Sequence, residues 1–271
     1  MEIVYKSGTL QAAIDSLNDG DTLILPSGVF AEKIEVHQKN ITLIGDKDGH
    51  TIITWRDGAK EILEDGIKRG TFRSYTIHID GDGFNASYIT FANTAGCGEI
   101  AGQAVAAYVD SDGAAFDHCR FIGQQDTLFT APLPMKEVEP GGFRGPGEFT
   151  ERKLTTQRYD KCYIEGNVDF IFGGATAYFT DCDIFVRQPD CNPSCAYIAA
   201  PSTFPEVETG YVFENCRITS DFKENNVYLG RPWRQGAKTI YKHCTMPTQL
   251  NPEVWNDWGK PEGTYFFSVE E

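Results

Sequence analysis

The sequence has little helical periodicity and no long hydrophobic run. After about residue 20, apolar residues do not recur at the three- and four-residue spacing of an amphipathic helix. No uninterrupted apolar stretch is long enough to cross a bilayer, so we expect no association with a membrane. The composition, 41% hydrophobic and 23% charged, suits a globular protein with a full core. We therefore predict an all-β protein and treat residues 1–271 as a single domain.

Positive charge is also scarce. The chain has 24 Lys and Arg against 39 Asp and Glu, which gives a net charge of −15. This balance argues against nucleic acid as a partner. Any polyanionic ligand would have to be held by locally placed cations, against the overall field of the protein.

The first residues lack the pattern of a secretory signal. The segment MEIVYKSGTLQAAIDSLNDGD has no basic part followed by an apolar part. If the chain is complete, we expect a cytoplasmic protein with reduced cysteines; the alternative is a secreted protein whose signal is not part of this sequence. Within this segment, TLQAAIDSLNDGD predicts one short helix, ended by Gly20, that caps the open end of a stack of strands.

The clearest pattern present is an internal repeat, aromatic-x-x-Cys-x-apolar. Its copies alternate like strands, are bounded by Gly, Asn or Asp, and recur at intervals of 20 to 43 residues. They start at Phe116, Tyr159, Phe179, Phe213 and Tyr241, with a serine-containing copy at Phe84. A short strand that recurs in register, with connections of uneven length, predicts coils stacked into a right-handed parallel β-helix.

The repeat accounts for most of the 8 cysteines. Cysteines at the shared repeat position should stack inside the coil: Cys119, Cys162, Cys182, Cys216 and Cys244. Stacked strands lie roughly 4.7–4.9 Å apart with parallel Cβ directions, which suits a disulfide badly, so we expect buried thiols. Cys191 and Cys195 form a loop pair, either a disulfide or half a metal site. No His/Cys pair at zinc spacing accompanies them, so we predict no metal.

One segment breaks the repeat. Residues 131–153, APLPMKEVEPGGFRGPGEFTERK, are rich in Pro, Gly and charge and predict a long loop rather than a separate domain. This loop joins QQDTLFT to the strand that leads into Asp169. We expect it to overhang whatever site these residues form; the alternative is an idle insertion.

Polar residues interrupt the repeat in four segments. Asp169 is the most informative, because it stands between Val168 and Phe170-Ile171-Phe172, and a carboxylate among apolar groups costs several kcal/mol unless it is paired. Equivalent positions on successive coils line one face, so residues distant in sequence can converge in one groove. The segments are AGQAVAAYV with Gln103, GQQDTLF with Gln125 and Asp126, VDFIFG with Asp169, and YLGRPW with Arg231 and Trp233.

These segments resemble the signature segments of pectin methylesterases (pectinesterases). TFRSYTIHIDGDGFNASYITFANTAG, GQAVA, QDTLF, YIEGNVDFIFG and YLGRPW occur in the family's order, and the similarity extends from about residue 28 to residue 259. The resemblance implies a right-handed parallel β-helix, in agreement with the repeat. It also implies hydrolysis of the methyl ester at C6 of galacturonate, in pectin or oligogalacturonides, with release of methanol and without a cofactor.

The resemblance assigns roles residue by residue. Asp169 is the nucleophile, which forms an acyl-enzyme, and Arg231 pairs with it. Asp126 is the general acid and then the general base. Gln103 and Gln125 supply the oxyanion hole, a role that suits amide donors because they do not ionise.

Trp233, Phe129, Val168 and Phe172 are implied to line the sugar subsites. We expect the protein to be a monomer. Two alternative functions stay open. One is another pectin-active β-helix enzyme, a polygalacturonase or a calcium-dependent lyase, but either would leave the paired glutamines without a role. The other is a non-catalytic pectin-binding module, and the intact set of two carboxylates and one arginine argues against it.

Overall fold

The computed structural model describes residues 1–188, 191 and 194–271. Within them, the only helices are α1 (Leu10–Asp15) and a 3₁₀ turn (Thr71–Arg73), and no helix has the length and apolarity needed to span a membrane. The strands, in chain order, are β1 (Glu2–Val4), β2 (Thr22–Ile24), β3 (Gly28–Phe30), β4 (Ile34–Val36), β5 (Thr42–Ile44), β6 (Thr51–Trp55), β7 (Ile77–Ile79), β8 (Asn85–Ser87), β9 (Ile89–Asn93), β10 (Ala107–Val109), β11 (Ala114–Asp117), β12 (Arg120–Ile122), β13 (Leu128–Thr130), β14 (Thr156–Asp160), β15 (Tyr163–Gly166), β16 (Val168–Gly173), β17 (Thr176–Thr180), β18 (Asp183–Val186), β19 (Ala196–Pro201), β20 (Tyr211–Glu214), β21 (Arg217–Ser220), β22 (Val227–Gly230), β23 (Lys238–Lys242) and β24 (Phe266–Glu270).

The chain visits three parallel sheets in rotation from β2 to β22. Sheet A has the order β1-β2-β5-β8-β11-β14-β17-β20-β23-β24. Sheet B runs β21-β18-β15-β12-β9-β6-β3, and sheet C runs β22-β19-β16-β13-β10-β7-β4. Because every third strand joins the same sheet and pairs in parallel with the strand of the previous coil, the coils stack. The predicted parallel β-helix is confirmed.

The sequence repeat marks the corner between sheets A and B. The residue before each repeated cysteine has a positive φ: His118 (51°), Lys161 (50°), Asp181 (53°), Asn215 (54°) and His243 (51°). One left-handed residue at this corner of each coil turns the chain sharply. The preceding aromatic rings then stack from coil to coil, at 5.1 Å for Phe116–Tyr159, 4.8 Å for Tyr159–Phe179, 4.5 Å for Phe179–Phe213 and 4.4 Å for Phe213–Tyr241.

The serine-containing copy lies in a different register. β8 pairs with β11 so that Ala86, not Phe84, is opposite Phe116. Tyr88, with φ 59°, is the left-handed residue at this corner of its coil, so the next residue, Ile89, takes the level of the cysteines. The prediction that Phe84 and Ser87 belong to the ladder was wrong because the corner residue, not the aromatic-to-serine spacing, sets the pairing.

The five ladder cysteines are unpaired, as predicted. Four of them are buried and Cys244 is half-buried. The thiol of Cys182 donates a 3.2 Å hydrogen bond to the carbonyl oxygen of Tyr159 on the previous coil, and that of Cys216 donates one of 3.3 Å to Phe179. Burial raises the pKa of Cys119 to about 12, so this thiol stays protonated and unreactive at neutral pH.

The loop cysteines correct the sequence prediction. Cys191 forms a disulfide with Cys97, 94 residues away, and Cys195 is a free, partly exposed thiol. Cys97 lies in the loop between β9 and β10, and Cys191 in the loop between β18 and β19. Both loops leave the corner between sheets B and C, but β12 and β15 separate their strands in sheet B, so the loops themselves span the intervening coils. The pairing was invisible in the sequence because it depends on the path of two irregular loops.

The short helix packs on the first coils, as predicted. Leu10 and Ile14 are fully buried in the interior core. The Thr9 hydroxyl oxygen accepts a hydrogen bond from the N–H of Ala12 at 3.3 Å, which caps the first turn. The helix ends at Asp15 rather than near Gly20, because Ser16 already forms its C-cap.

A second apolar cluster lies outside sheet C. Phe72 of the 3₁₀ turn and Phe143 of loop 131–153 pack over Tyr108 and Phe129 of sheet C. The ring centroids of Phe72 and Phe129 are 4.9 Å apart, and those of Phe72 and Phe143 are 5.9 Å apart. Loop 131–153 is therefore held against the outer face of sheet C through Phe143, and its role in substrate binding stays a prediction.

Candidate active site

Asp169 lies at a bulge in β16. The bulge opposes Asp169 and Phe170 to a single residue of β19, and Asp169 has a φ of 50°. Phe170 and Ile171 are consecutive, yet both lie in the interior core, so the carboxylate of Asp169 is left on the outer face. Gly166 permits this packing, since a Cβ at position 166 would lie 2.3 Å from the Cβ of Phe170.

Arg231 holds both oxygens of the Asp169 carboxylate. Its Nε donates to Oδ1 at 2.7 Å and its Nη2 to Oδ2 at 2.6 Å. The guanidinium lies between the rings of Tyr197 and Trp258, each with its centroid 3.8 Å from Cζ. The two hydrogen bonds fix the plane of the carboxylate, and the two rings fix the plane of the guanidinium.

Asp126 faces the same pair from the turn between β12 and β13. It is almost fully buried and has a φ of 61°. Burial, and then the negative charge of Asp169, raise the pKa of Asp126 well above its usual value. Burial also raises the pKa of Asp169, but the hydrogen bonds and charge of Arg231 act in the opposite direction. The environments thus favour a protonated Asp126 beside an ionised Asp169.

Two glutamines complete the set. Gln103 lies in the loop between β9 and β10. Its main-chain carbonyl oxygen accepts a 2.8 Å hydrogen bond from the main-chain N–H of Ala59. Gln125 precedes Asp126, and its side chain lies against Gly98, where an added Cβ would be 2.2 Å from Gln125 Oε1. Gly98 follows the disulfide-bonded Cys97, so the disulfide anchors the loop that carries Gln103 and supports Gln125.

All five predicted catalytic residues line one groove of about 660 Å³. Of the predicted subsite residues, Trp233 and Phe172 line it as well. Phe129 does not, because it is fully buried beneath Phe72 in the second apolar cluster. Val168 is partly exposed but is not among the residues of the groove wall. The subsite assignment is therefore wrong for Phe129, whereas for Val168 it stays a prediction.

Sequence reasoning missed several residues of the groove. Trp258 lines the groove, and Tyr197 is the other ring that packs on Arg231; neither belongs to a repeated segment, so neither gave a signal. Phe143 and Arg144 come from loop 131–153, whose position was predicted but whose contacts were not. The sequence could have revealed a further groove residue only if the same aromatic or cationic residue type had recurred at an equivalent position of several coils.

The groove wall is rich in cations although the chain carries a net charge of −15. Besides Arg231, the cations are Lys60, Lys68, Arg69, Arg144 and Arg234. Arg69 is neutralised in part, with nitrogens 3.0 Å from Asp57 and 2.8 Å from Glu61. The local cations that an anionic ligand would need are therefore present in this groove.

Comparison with known proteins places the chain in one family. The pectinesterase family matches residues 6–133 and 151–268, so the unmatched stretch falls within loop 131–153. Pectinesterase QRT1 of Arabidopsis thaliana is 35% identical over 276 residues, covering 96% of this chain and 65% of the relative. Pectinesterase 2 of Citrus sinensis is 37% identical over 242 residues, covering 87% of this chain and 41% of the relative.

A solved structure agrees with these matches. The pectin methylesterase from carrot superposes with a TM-score of 0.80 at 28% identity, covering 100% of this chain and 81% of that one. The chain thus spans less than two thirds of the length of the two curated relatives, 65% and 41%, but most of the solved enzyme. With the family match, the coil order and the grouped carboxylates in agreement, this chain belongs to the pectinesterase family.

Proposed function

We propose that this protein is a pectinesterase, a carboxylic ester hydrolase that removes the methyl ester from the C6 carboxyl of galacturonate in pectin. The observation that carries the proposal is the Asp169 carboxylate, held at both oxygens by Arg231 in a groove that also contains Asp126, Gln103 and Gln125. The family match supports the same activity.

The first half-reaction uses the ionised Asp169. An oxygen of its carboxylate attacks the ester carbonyl carbon, and the carbonyl oxygen becomes a tetrahedral oxyanion. The amides of Gln103 and Gln125 donate to that oxyanion; losing one such donor costs about 10²–10³ in rate. The bond to the methoxy oxygen then breaks, Asp126 gives its proton to that oxygen, and methanol leaves an acyl-enzyme on Asp169.

The second half-reaction reverses the role of Asp126. Its carboxylate accepts a proton from a water molecule, whose oxygen attacks the acyl carbon. The bond to Asp169 breaks, which restores the carboxylate paired with Arg231 and leaves a free galacturonate. Both half-reactions need only groups of this chain, water and the substrate.

The groove wall suits a carbohydrate that bears negative charge. The rings of Trp233 and Trp258 offer flat apolar faces to sugar rings, and Lys68 and Arg144 can pair with carboxylates of neighbouring, already de-esterified residues. We therefore propose pectin or methylated oligogalacturonides as substrate, bound by a monomer. The Cys97–Cys191 disulfide supports the secreted alternative for its location, since such bonds persist in oxidising compartments.

The test is an assay of the purified chain on highly methylated pectin with three readouts. We expect release of methanol without new reducing ends and without unsaturated ends. New reducing ends would indicate a polygalacturonase, and unsaturated ends a lyase. Binding of pectin without any of the three products would indicate a non-catalytic module.

A further inference from the structure

Two histidines and two carboxylates form a rectangle on the outer face of sheet C, near its β4 end. The parallel register of β4 and β7 pairs Glu35 with His78. Residues two apart on a strand share a face. His37 and Asp80 therefore lie side by side at the next level, just past the ends of the same two strands.

His37 already contacts both carboxylates. His37 Nδ1 lies 2.8 Å from Asp80 Oδ1, and His37 Nε2 lies 3.4 Å from Glu35 Oε2. The other oxygen of Glu35 accepts a 2.5 Å hydrogen bond from the hydroxyl of Tyr75. One nitrogen or oxygen from each of His37, His78 and Asp80 lies within 4.8 Å of the others.

His78 is the unusual member. Its ring is 3% exposed, and neither nitrogen has a hydrogen-bond partner among the residues that the structure describes. The rings of Tyr75 and Tyr108 pack against it, with centroids 5.4 Å and 4.7 Å away. Buried polar groups are nearly always paired, so an imidazole that is buried, unpaired and beside two other ligand-type side chains calls for a partner.

We propose that His37, His78 and Asp80 bind a divalent transition-metal ion of the zinc class, with Glu35 within reach as a fourth ligand. Two imidazole nitrogens and a carboxylate oxygen are a donor set that zinc favours. In the tetrahedral geometry that zinc prefers, ligand atoms about 2.0–2.2 Å from the ion lie about 3.3–3.6 Å apart. Binding would therefore draw the three side chains closer together, and His37 and Asp80 are solvent-exposed side chains that can rotate.

The site is separate from the catalytic groove. In sheet C, β10 and β13 stand between β7, which carries His78, and β16, which carries Asp169. Two intervening strands correspond to roughly 14 Å across the sheet. An ion at this position would join the coils of β4 and β7 on the outside of the β-helix and stabilise the folded chain by mass action, without a part in ester hydrolysis.

The test measures Zn²⁺ binding to the metal-stripped full chain at pH 7.5 by calorimetry, and Co²⁺ binding by visible absorption. All variants carry Cys195→Ser, because a partly exposed thiol can bind metal by itself. We expect one equivalent of Zn²⁺, a higher melting temperature with Zn²⁺, and at least about tenfold weaker binding for His37→Asn and for Asp80→Asn. Both side chains are solvent-exposed, so these variants should fold.

The chain supplies a matched control. His118 and Asp117 form another exposed pair, with Nδ1 and Oδ1 2.9 Å apart, but it lies on the sheet A side, outside the His37, His78 and Asp80 group. His118→Asn should leave Zn²⁺ affinity unchanged. The proposal is overturned if the parent chain binds no Zn²⁺, if the His37→Asn/Asp80→Asn double variant binds it as tightly as the parent, or if His118→Asn weakens binding equally.

Discussion

The main-chain N–H of Asp126 donates a 3.0 Å hydrogen bond to the carbonyl oxygen of Val168, the residue before Asp169. Asp126 and Asp169 both adopt left-handed backbone conformations, with φ of 61° and 50°. The relative position of the two carboxylates is thus set by the backbone of adjacent coils. A substitution that keeps side-chain volume should therefore test chemistry without changing the frame.

The first prediction concerns the nucleophile. Asp169→Asn keeps the volume but removes the negative charge, and asparagine tolerates a left-handed backbone. We expect kcat below about 1% of the parent value, with cooperative unfolding preserved. The measurements are methanol release and a thermal melt.

Asp181→Asn is the matched control for this variant. Asp181 is exposed and also left-handed, with φ 53°. It should keep full activity. A folded Asp169→Asn variant that retained more than a few per cent of the parent rate would contradict the covalent mechanism.

The second prediction concerns the stability cost of the buried acid. The pKa of Asp126 is raised in the folded chain, whereas an unfolded aspartate titrates near about 3.9. Between these two values the unfolded chain has released a proton that the folded chain keeps, so stability falls as pH rises. Asp126→Asn removes this dependence. We expect the variant to be inactive and more stable than the parent at pH 8.

Urea unfolding at several pH values checks this prediction. The stability difference between Asp126→Asn and the parent should grow from about pH 4 upward, by about 1.4 kcal/mol for each unit by which the folded pKa exceeds the unfolded one. A difference that does not change with pH would mean that Asp126 is not held protonated by its surroundings.

The third prediction concerns the wall contributed by loop 131–153. Replacing residues 134–148 with a Gly/Ser linker should raise KM more than it lowers kcat, which indicates lost ground-state binding. Because that change also removes Phe143 from the second apolar cluster, Arg144→Ala is the sharper variant. We expect Arg144→Ala to raise KM several-fold on partly de-esterified pectin and to leave kcat nearly unchanged.

Two comparisons separate charge from structure at Arg144. On a short, fully methylated oligomer, which lacks carboxylates, Arg144→Ala should behave like the parent chain. Arg158→Ala removes an exposed arginine from sheet A, away from the groove, and should change neither constant. Equal KM values for parent and Arg144→Ala on both substrates would contradict a role of this residue in substrate binding.

The fourth prediction concerns the cysteines. A thiol reagent added to the native chain should label Cys195 and spare the four buried ladder cysteines, with Cys244 between these extremes. After denaturation without reductant, six thiols should react, leaving Cys97 and Cys191 unlabelled until reduction. Peptide mapping by mass spectrometry measures both. A disulfide between any two ladder cysteines would contradict the stacked arrangement.

Removing the disulfide should destabilise the chain. Cys97→Ser opens a closed loop with a sequence separation of 94, and we expect a loss of roughly 2–4 kcal/mol. Since Gly98 supports Gln125, we also expect a lower kcat. Unchanged stability and kcat would show that this loop is held by other contacts.

The sequence was sufficient to predict the coils because their chemistry is repeated. Because an aromatic residue and a cysteine recur in strand-like segments, the sequence directly indicates that equivalent side chains stack in the interior of the coils. Contacts between different coils could not be predicted. Cys97 and Cys191 are far apart in sequence and share no motif, and the same holds for His37 and His78. Phe129 was misassigned because the family resemblance of its segment gives no information on Phe72, which covers it.

Loop 131–153 leaves sheet C after β13 and re-enters sheet A at β14, whereas the equivalent connection from β16 to β17 takes only two residues. The strands on either side keep their parallel register with the coils above and below. A coil architecture therefore tolerates length changes at this corner without disturbing the catalytic coils. Loop 131–153, which forms one wall of the groove, can therefore be replaced by a loop of different length and sequence while Asp126 and Asp169 keep their positions.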